Sequence, residues 1–113
     1  MERTAAVLRN TRWVLESIHG LEAMETLLGG QLEVVPVPAE VVLFANAEGE
    51  DLALPPSAVL FDRAAGTMEI LRGQLVAFGG DSGQLEDATE ATVQQLEAVL
   101  IPVVTTVTVR EAS

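Results

Sequence analysis

Asn46, Glu48, Glu50 and Asp51 place four oxygen-bearing side chains within six residues, around Gly49. Calcium favours ligands of this type. A helix-loop-helix calcium site, however, spreads its ligands over about 12 residues and closes on a bidentate glutamate, which this segment does not do. The group therefore reads as a solvated acidic turn. Such a turn is also the best place on this chain to expect a partner, because its charge attracts a basic surface.

Other residues that suggest chemistry fail on spacing or on partners. Gly80-Asp81-Ser82-Gly83 carries the GDSG string found around the nucleophile of chymotrypsin-like serine proteases. That mechanism needs a histidine bonded to the serine and a carboxylate that orients the histidine. The sole histidine is His19, at a break between a strand and a helix. Glycine, aspartate and serine are also turn formers, so the string reads as a flexible loop. Cysteine is absent, which removes disulfides, thiol catalysis and cysteine-based metal sites together. Gly29-Gly30 follows a helix instead of preceding one, reversing the polarity that phosphate binding requires. Gly79-Gly80 follows a strand, but no glycine-rich nucleotide motif surrounds it. Nothing singles out two of the 17 acids as a catalytic pair. Trp13, beside Arg12, reads as packing in a core with few aromatics. The expectation is a non-enzymatic protein without a cofactor or metal.

Charge bounds the partners. The formal charge is −11, from 17 acids against six basic residues, all arginine. Between residues 13 and 62 nine acids occur with no arginine, and between 73 and 109 five more do. A surface this negative repels phosphate backbones and anionic membranes, so neither nucleic acid nor a membrane is an expected direct partner. No stretch approaches the roughly 18 apolar residues of a membrane span, and residues 1–12 lack the apolar core of a signal peptide. A soluble, cytoplasmic protein is the expectation.

The elements that position these residues follow from periodicity. With 113 residues, 49% of them hydrophobic, residues 1–113 suffice for one domain with its own core. Residues 4–8 and 12–18 read as strands about the turn-forming pair Asn10-Thr11. Leu21, Met24, Leu27 and Leu28 recur at helical spacing, and Gly29-Gly30 ends that helix. Residues 31–37 and 41–45 read as strands, the first ending at Pro36 and Pro38 and the second apolar enough to be buried on both faces. Residues 57–63 are ambiguous between a helical turn and an extended segment. Residues 67–71 and 74–78 read as two strands about a tight turn at Arg72-Gly73. Asp87 with Glu90 suggests a capping box for a second helix, whose stripe is Val93, Leu96, Val99 and Leu100. Residues 103–109 (VVTTVTV) give the strongest local strand signal. The fold class is α+β: two helices with a mixed or antiparallel sheet of about six or seven short strands.

The order of these elements resembles a small bacterial and phage family known as domain of unknown function three-eight-four-six. The matching residues are Leu28-Gly29-Gly30, Glu33-Val34-Val35-Pro36, Asn46 with Glu48-Gly49, Leu54-Pro55-Pro56, Gly73, residues 76–79 and the terminal helix from Leu85. They span about residues 1–100 and leave the strand at 103–110 as an extension. One departure is Ser57, which stands where the family pattern has asparagine after the proline pair. The resemblance implies a small α+β domain of phages, plasmids and their hosts. It implies no activity and carries over no catalytic residue. Its polar matches Glu33, Asn46 and Glu48 are candidates for a binding surface, together with Glu50 and Asp51.

The function expected is that of a binding or accessory protein of phage or mobile-element type, acting on a protein with a basic surface. Self-association through the C-terminal strand is also expected, since an exposed β-branched edge recruits another strand. Two alternatives stand beside it: an acidic decoy that occupies the DNA-binding site of a host protein, and a small-ligand sponge, for nucleotides for example, centred on Asn46.

Overall fold

The computed structural model describes residues 2–81 and 83–103. The elements run Glu2–Arg9 (β1), Arg12–His19 (β2), Gly20–Leu28 (α1), Leu32–Val35 (β3), Val41–Asn46 (β4) and Pro56–Asp62 (β5). Thr67–Arg72 (β6), Val76–Asp81 (β7), Gln84–Glu86 (β8), Glu90–Val99 (α2) and Leu100–Pro102 (β9) follow. The strands form two antiparallel sheets, giving the α+β architecture expected. The larger has the order β2-β1-β7-β4-β3, with β8 paired to the end of β7; the smaller has the order β6-β5-β9.

The first hairpin follows from its turn. Asn10 and Thr11 both have positive φ, 47° and 73°, and Arg9 pairs with Arg12 across them. A two-residue turn of this hand twists with the strands it joins, and asparagine tolerates it. Threonine tolerates it less, because its branched β-carbon crowds the left-handed region. A bidentate ion pair bridges the hairpin: Arg9 Nε donates to Glu16 Oε2 at 2.8 Å and Arg9 Nη2 to Glu16 Oε1 at 3.0 Å. The hydrogen bond from Arg9, more than its charge, holds the Glu16 carboxyl below the usual carboxylate range.

Alternation along the central strands builds a core on each face of the large sheet. Ala5 and Val7 of β1, Val76 and Phe78 of β7 and Phe44 of β4 face α1, where they meet Met24 and Leu28. Ala6 and Leu8, Ala77, and Leu43 and Ala45 face the other way, onto Leu96 of α2 and Ala58, Leu60, Leu71 and Leu100 of the small sheet. The period of two along a strand makes this division, and burial on both faces explains the unbroken apolar runs at residues 5–8, 41–45 and 75–78. Phe44 and Phe78 meet edge to face, with ring centroids 6.0 Å apart.

Several local expectations are corrected. Residues 67–78 do not form a hairpin: β6 pairs with β5, and β7 lies in the other sheet between β1 and β4. Gly73, at φ 76°, turns the chain from one sheet to the other, and its N–H is taken by Pro55 O at 2.9 Å. The ambiguous segment at 57–63 is extended, within β5. Gly79 and Gly80 are strand residues paired with β8, not a flexible loop. They are glycines because backbones crowd them. A β-carbon on Gly79 would come within 3.2 Å of Asp87 O, and one on Gly80 (φ 83°) would overlap Gln84 O. The capping box of α2 is Thr89 with Thr92, whose Oγ1 accepts the Thr89 N–H at 2.9 Å. Asp87 instead accepts the Thr4 N–H at 3.0 Å, fastening the start of β1 to the end of β8. Residues 31–37 give a strand only over Leu32–Val35, since Pro36 and Pro38 cannot donate to a ladder. Leu100 leaves the helical stripe to open β9. The strand expected at 103–110 lies, beyond Val103, outside the described residues.

Two tests follow from this packing. Gly80→Ala should cost about 3 kcal/mol or more in urea unfolding, from overlap added to left-handed strain, against about 1 kcal/mol for Gly66→Ala, which has positive φ but open space. Equal losses would show that no backbone crowding operates at Gly80. Glu16→Gln should cost less than about 1 kcal/mol at pH 7, as an exposed pair does. A depressed folded pKa stabilises above the unfolded value and loses that effect as pH falls through the folded one, so the gap between wild type and variant should hold from pH 7 down to the ordinary glutamate value of 4.5 and close below it.

Candidate functional site

The acidic turn is built around a buried amide. Asn46 closes β4 and is 3% exposed. Its Nδ2 donates to Leu28 O at 3.0 Å, and its Oδ1 accepts the Glu48 N–H at 2.7 Å. Leu28 is the last residue of α1, so the amide satisfies one of the carbonyls that a helix end leaves open. Gly29, at φ 78°, turns the chain out of the helix. Gly30 leaves room for the amide: a β-carbon there would come within 3.2 Å of Asn46 Nδ2. The pair Gly29-Gly30 and Asn46 are therefore one structural unit, although 15 residues of chain separate Gly30 from Asn46.

Beyond Asn46 the chain makes a single helical turn. Gly49 N donates to Asn46 O at 3.1 Å and Leu52 N to Glu48 O at 2.8 Å. Leu54 N then reaches back to Gly49 O at 2.9 Å, and Ala53 N to Glu50 O at 3.0 Å. With Ala53 at φ 52°, these two bonds are a Schellman ending, here with alanine where glycine is usual. Arg72 Nη1 donates to Leu54 O at 3.1 Å, which fixes the far end of the turn to β6. Gly49 is buried between Asn46 O and the Arg72 side chain.

This frame projects Glu48, Glu50 and Asp51 into solvent, all three exposed. Asn46 does not share that exposure, because its side chain is buried and both ends of its amide are engaged inside the protein. Glu33 is exposed but lies apart. It pairs with Ala45 in β3–β4 and so shares that residue's face of the sheet, opposite to Asn46 and Leu32. The structure thus groups three of the five candidates and separates the other two. Among the described residues no three His, Asp or Glu side chains cluster closely enough to hold a metal ion.

The GDSG string is also accounted for by turn chemistry. Asp81 Oδ1 accepts the N–H groups of Gly83 at 2.8 Å and Gln84 at 2.9 Å, closing the β7–β8 turn. A groove of about 850 Å³, which sequence reasoning missed, runs between the loop after β3, the β7–β8 end and the start of α2. Glu40, Asp81, Glu86 and Asp87 line it, and among the described residues no arginine does. The signal that would have found it is the pairing of Gly79 and Gly80, which brings β8 and α2 against the end of β7.

A family model described as "Domain of unknown function (DUF3846)" matches residues 4–101. No curated protein and no solved structure matches the chain.

Removing the Asn46 amide tests whether it holds the turn. Asn46→Ala should lose about 2–3 kcal/mol, since it strands a buried carbonyl and an N–H. Asn46→Asp keeps the acceptor for Glu48 but sets a carboxylate against Leu28 O. Its loss should therefore be larger at pH 7 than at pH 4, where the acid form can donate. Urea unfolding at the two pH values reads both; a loss under about 0.5 kcal/mol for either variant would show the clasp to be dispensable.

Proposed function

The chain belongs to the DUF3846 family, and from that premise we propose a non-catalytic accessory protein that binds a basic protein surface through its acidic turn. The observation that carries this reading is the turn itself. Glu48, Glu50 and Asp51 stand exposed on one helical turn whose two ends are tied, by the Asn46 amide and by Arg72. A backbone already held in one geometry loses little freedom on binding, which favours a recognition surface. The acidic groove lined by Glu40 and Glu86 adds a second surface of the same sign. A phage or mobile-element setting is what the family resemblance implies.

His19 is exposed at the end of β2, and Asp81 is occupied by backbone donors of its own turn. Neither is joined to the other by a hydrogen bond among the described residues. Among those residues no helix is long and apolar enough to cross a membrane.

The experiment is affinity capture from a bacterial host lysate with wild type, a Glu48→Gln/Glu50→Gln/Asp51→Asn variant and a Glu40→Gln/Glu86→Gln variant. The turn variant should melt like wild type and lose the captured partner. The wild-type complex should weaken as salt rises. Identical partners from the turn variant and wild type would overturn the assignment, as would a loss confined to the groove variant. Elution by duplex DNA would instead identify the partner's site as a DNA-binding one and make the protein a decoy.

A further inference from the structure

Between α1 and the large sheet lies a cavity of about 250 Å³. Its walls come from Met24 of α1, Ile18 of β2, Phe44 and Phe78 of β4 and β7, and Leu85 of β8, with Arg3 of β1 as the one charged side chain. Three facts set it apart from a packing defect. Arg3 is half-buried, yet in a chain with 17 acids it has no carboxylate partner among the described residues, where the ion pair present is Arg9 with Glu16. Leu21, at the rim, is 62% exposed, and Phe44 and Leu85 are only partly covered. Gly20, also at the rim, has no atom within 4 Å of where a β-carbon would sit, so the mouth is open.

We propose that this cavity binds a small amphipathic carboxylate, with the apolar tail against Met24, Phe44 and Phe78 and the carboxylate on the Arg3 guanidinium. The apolar wall excludes a strongly hydrated ligand, and the lone cation selects one negative charge. The volume equals on the order of eight waters at about 30 Å³ each, which limits the tail to roughly eight carbons or one aromatic ring. A planar guanidinium fits a carboxylate through two parallel hydrogen bonds, which an ammonium does not. The site is distinct from the acidic turn and independent of the partner proposed for it.

Octanoate is a suitable probe, with 1-octanol and octylammonium as matched tails. The methyl groups of Met24 and Met68 give separate NMR reporters, one in the cavity wall and one 70% exposed on the small sheet. Octanoate should shift the Met24 methyl saturably, without a matching shift at Met68, and bind about tenfold tighter than 1-octanol or more. Arg3→Met should keep a wild-type melting curve, remove that advantage and leave 1-octanol binding unchanged. Octylammonium binding as tightly as octanoate would overturn the proposal. So would equal shifts at both methionines, no saturable shift, or an octanoate affinity that Arg3→Met leaves intact.

Discussion

The amide of Asn46 is buried where three stretches of chain meet, and water cannot replace either of its partners there. It closes the end of α1 through Leu28 O, opens the acidic turn through the Glu48 N–H, and itself terminates β4. A neighbouring bond from Ala47 N to Gln31 O, 2.7 Å long, adds the start of β3 to the same junction. Because a buried polar group costs free energy unless both its donor and its acceptor are met, the four elements hold one another in register. The position of every outward carboxylate on the turn depends on that junction.

A second constraint is the thinness of the central strands. β1, β4 and β7 carry alanine or glycine at several buried positions: Ala5, Ala6, Ala45, Ala77 and Gly79. On the face toward α2 and the small sheet, Ala6, Ala45 and Ala77 alternate with Leu8 and Leu43, while Phe44 and Phe78 occupy the space beneath α1. The aromatic pair does not fill it completely. The cavity at Arg3 lies beside the start of α1 and the three-residue β8, with both phenylalanines in its wall.

The six arginines are used sparingly and locally. Arg9 is spent on Glu16 within its own hairpin, and Arg72 on a backbone carbonyl at the end of the turn. Neither neutralises the acids of the turn or of the groove. Among the described residues no ion pair reaches the acids of the turn or of the groove, and Arg3 lines an apolar cavity without a carboxylate partner.

Most of the secondary structure was legible in the sequence. Asn10-Thr11 marked a hairpin, Gly29-Gly30 ended a helix, and the apolar run of β4 announced a strand buried on both sides. These signals are local, since turn chemistry and hydrophobic period act over a few residues. What the sequence did not disclose are contacts between distant positions. Residues 67–78 carried a hairpin pattern, but β5 offered β6 a better partner, and Gly73 sent β7 into the other sheet. The glycines at 79 and 80 looked like loop residues because the carbonyls of Gln84 and Asp87 that crowd them are set by the return of β8. Asn46 read as an exposed turn residue, since its turn-forming bond to Glu48 is two residues long while its bond to Leu28 spans 18. The sequence by itself determined the family, the element types and the negative charge, all of which are properties of composition and short-range pattern. Tertiary structure alone decided which carboxylates share a surface, that Asn46 is buried beneath them, and that Arg3 stands beside an apolar cavity. Those depend on packing between layers, which no local propensity encodes.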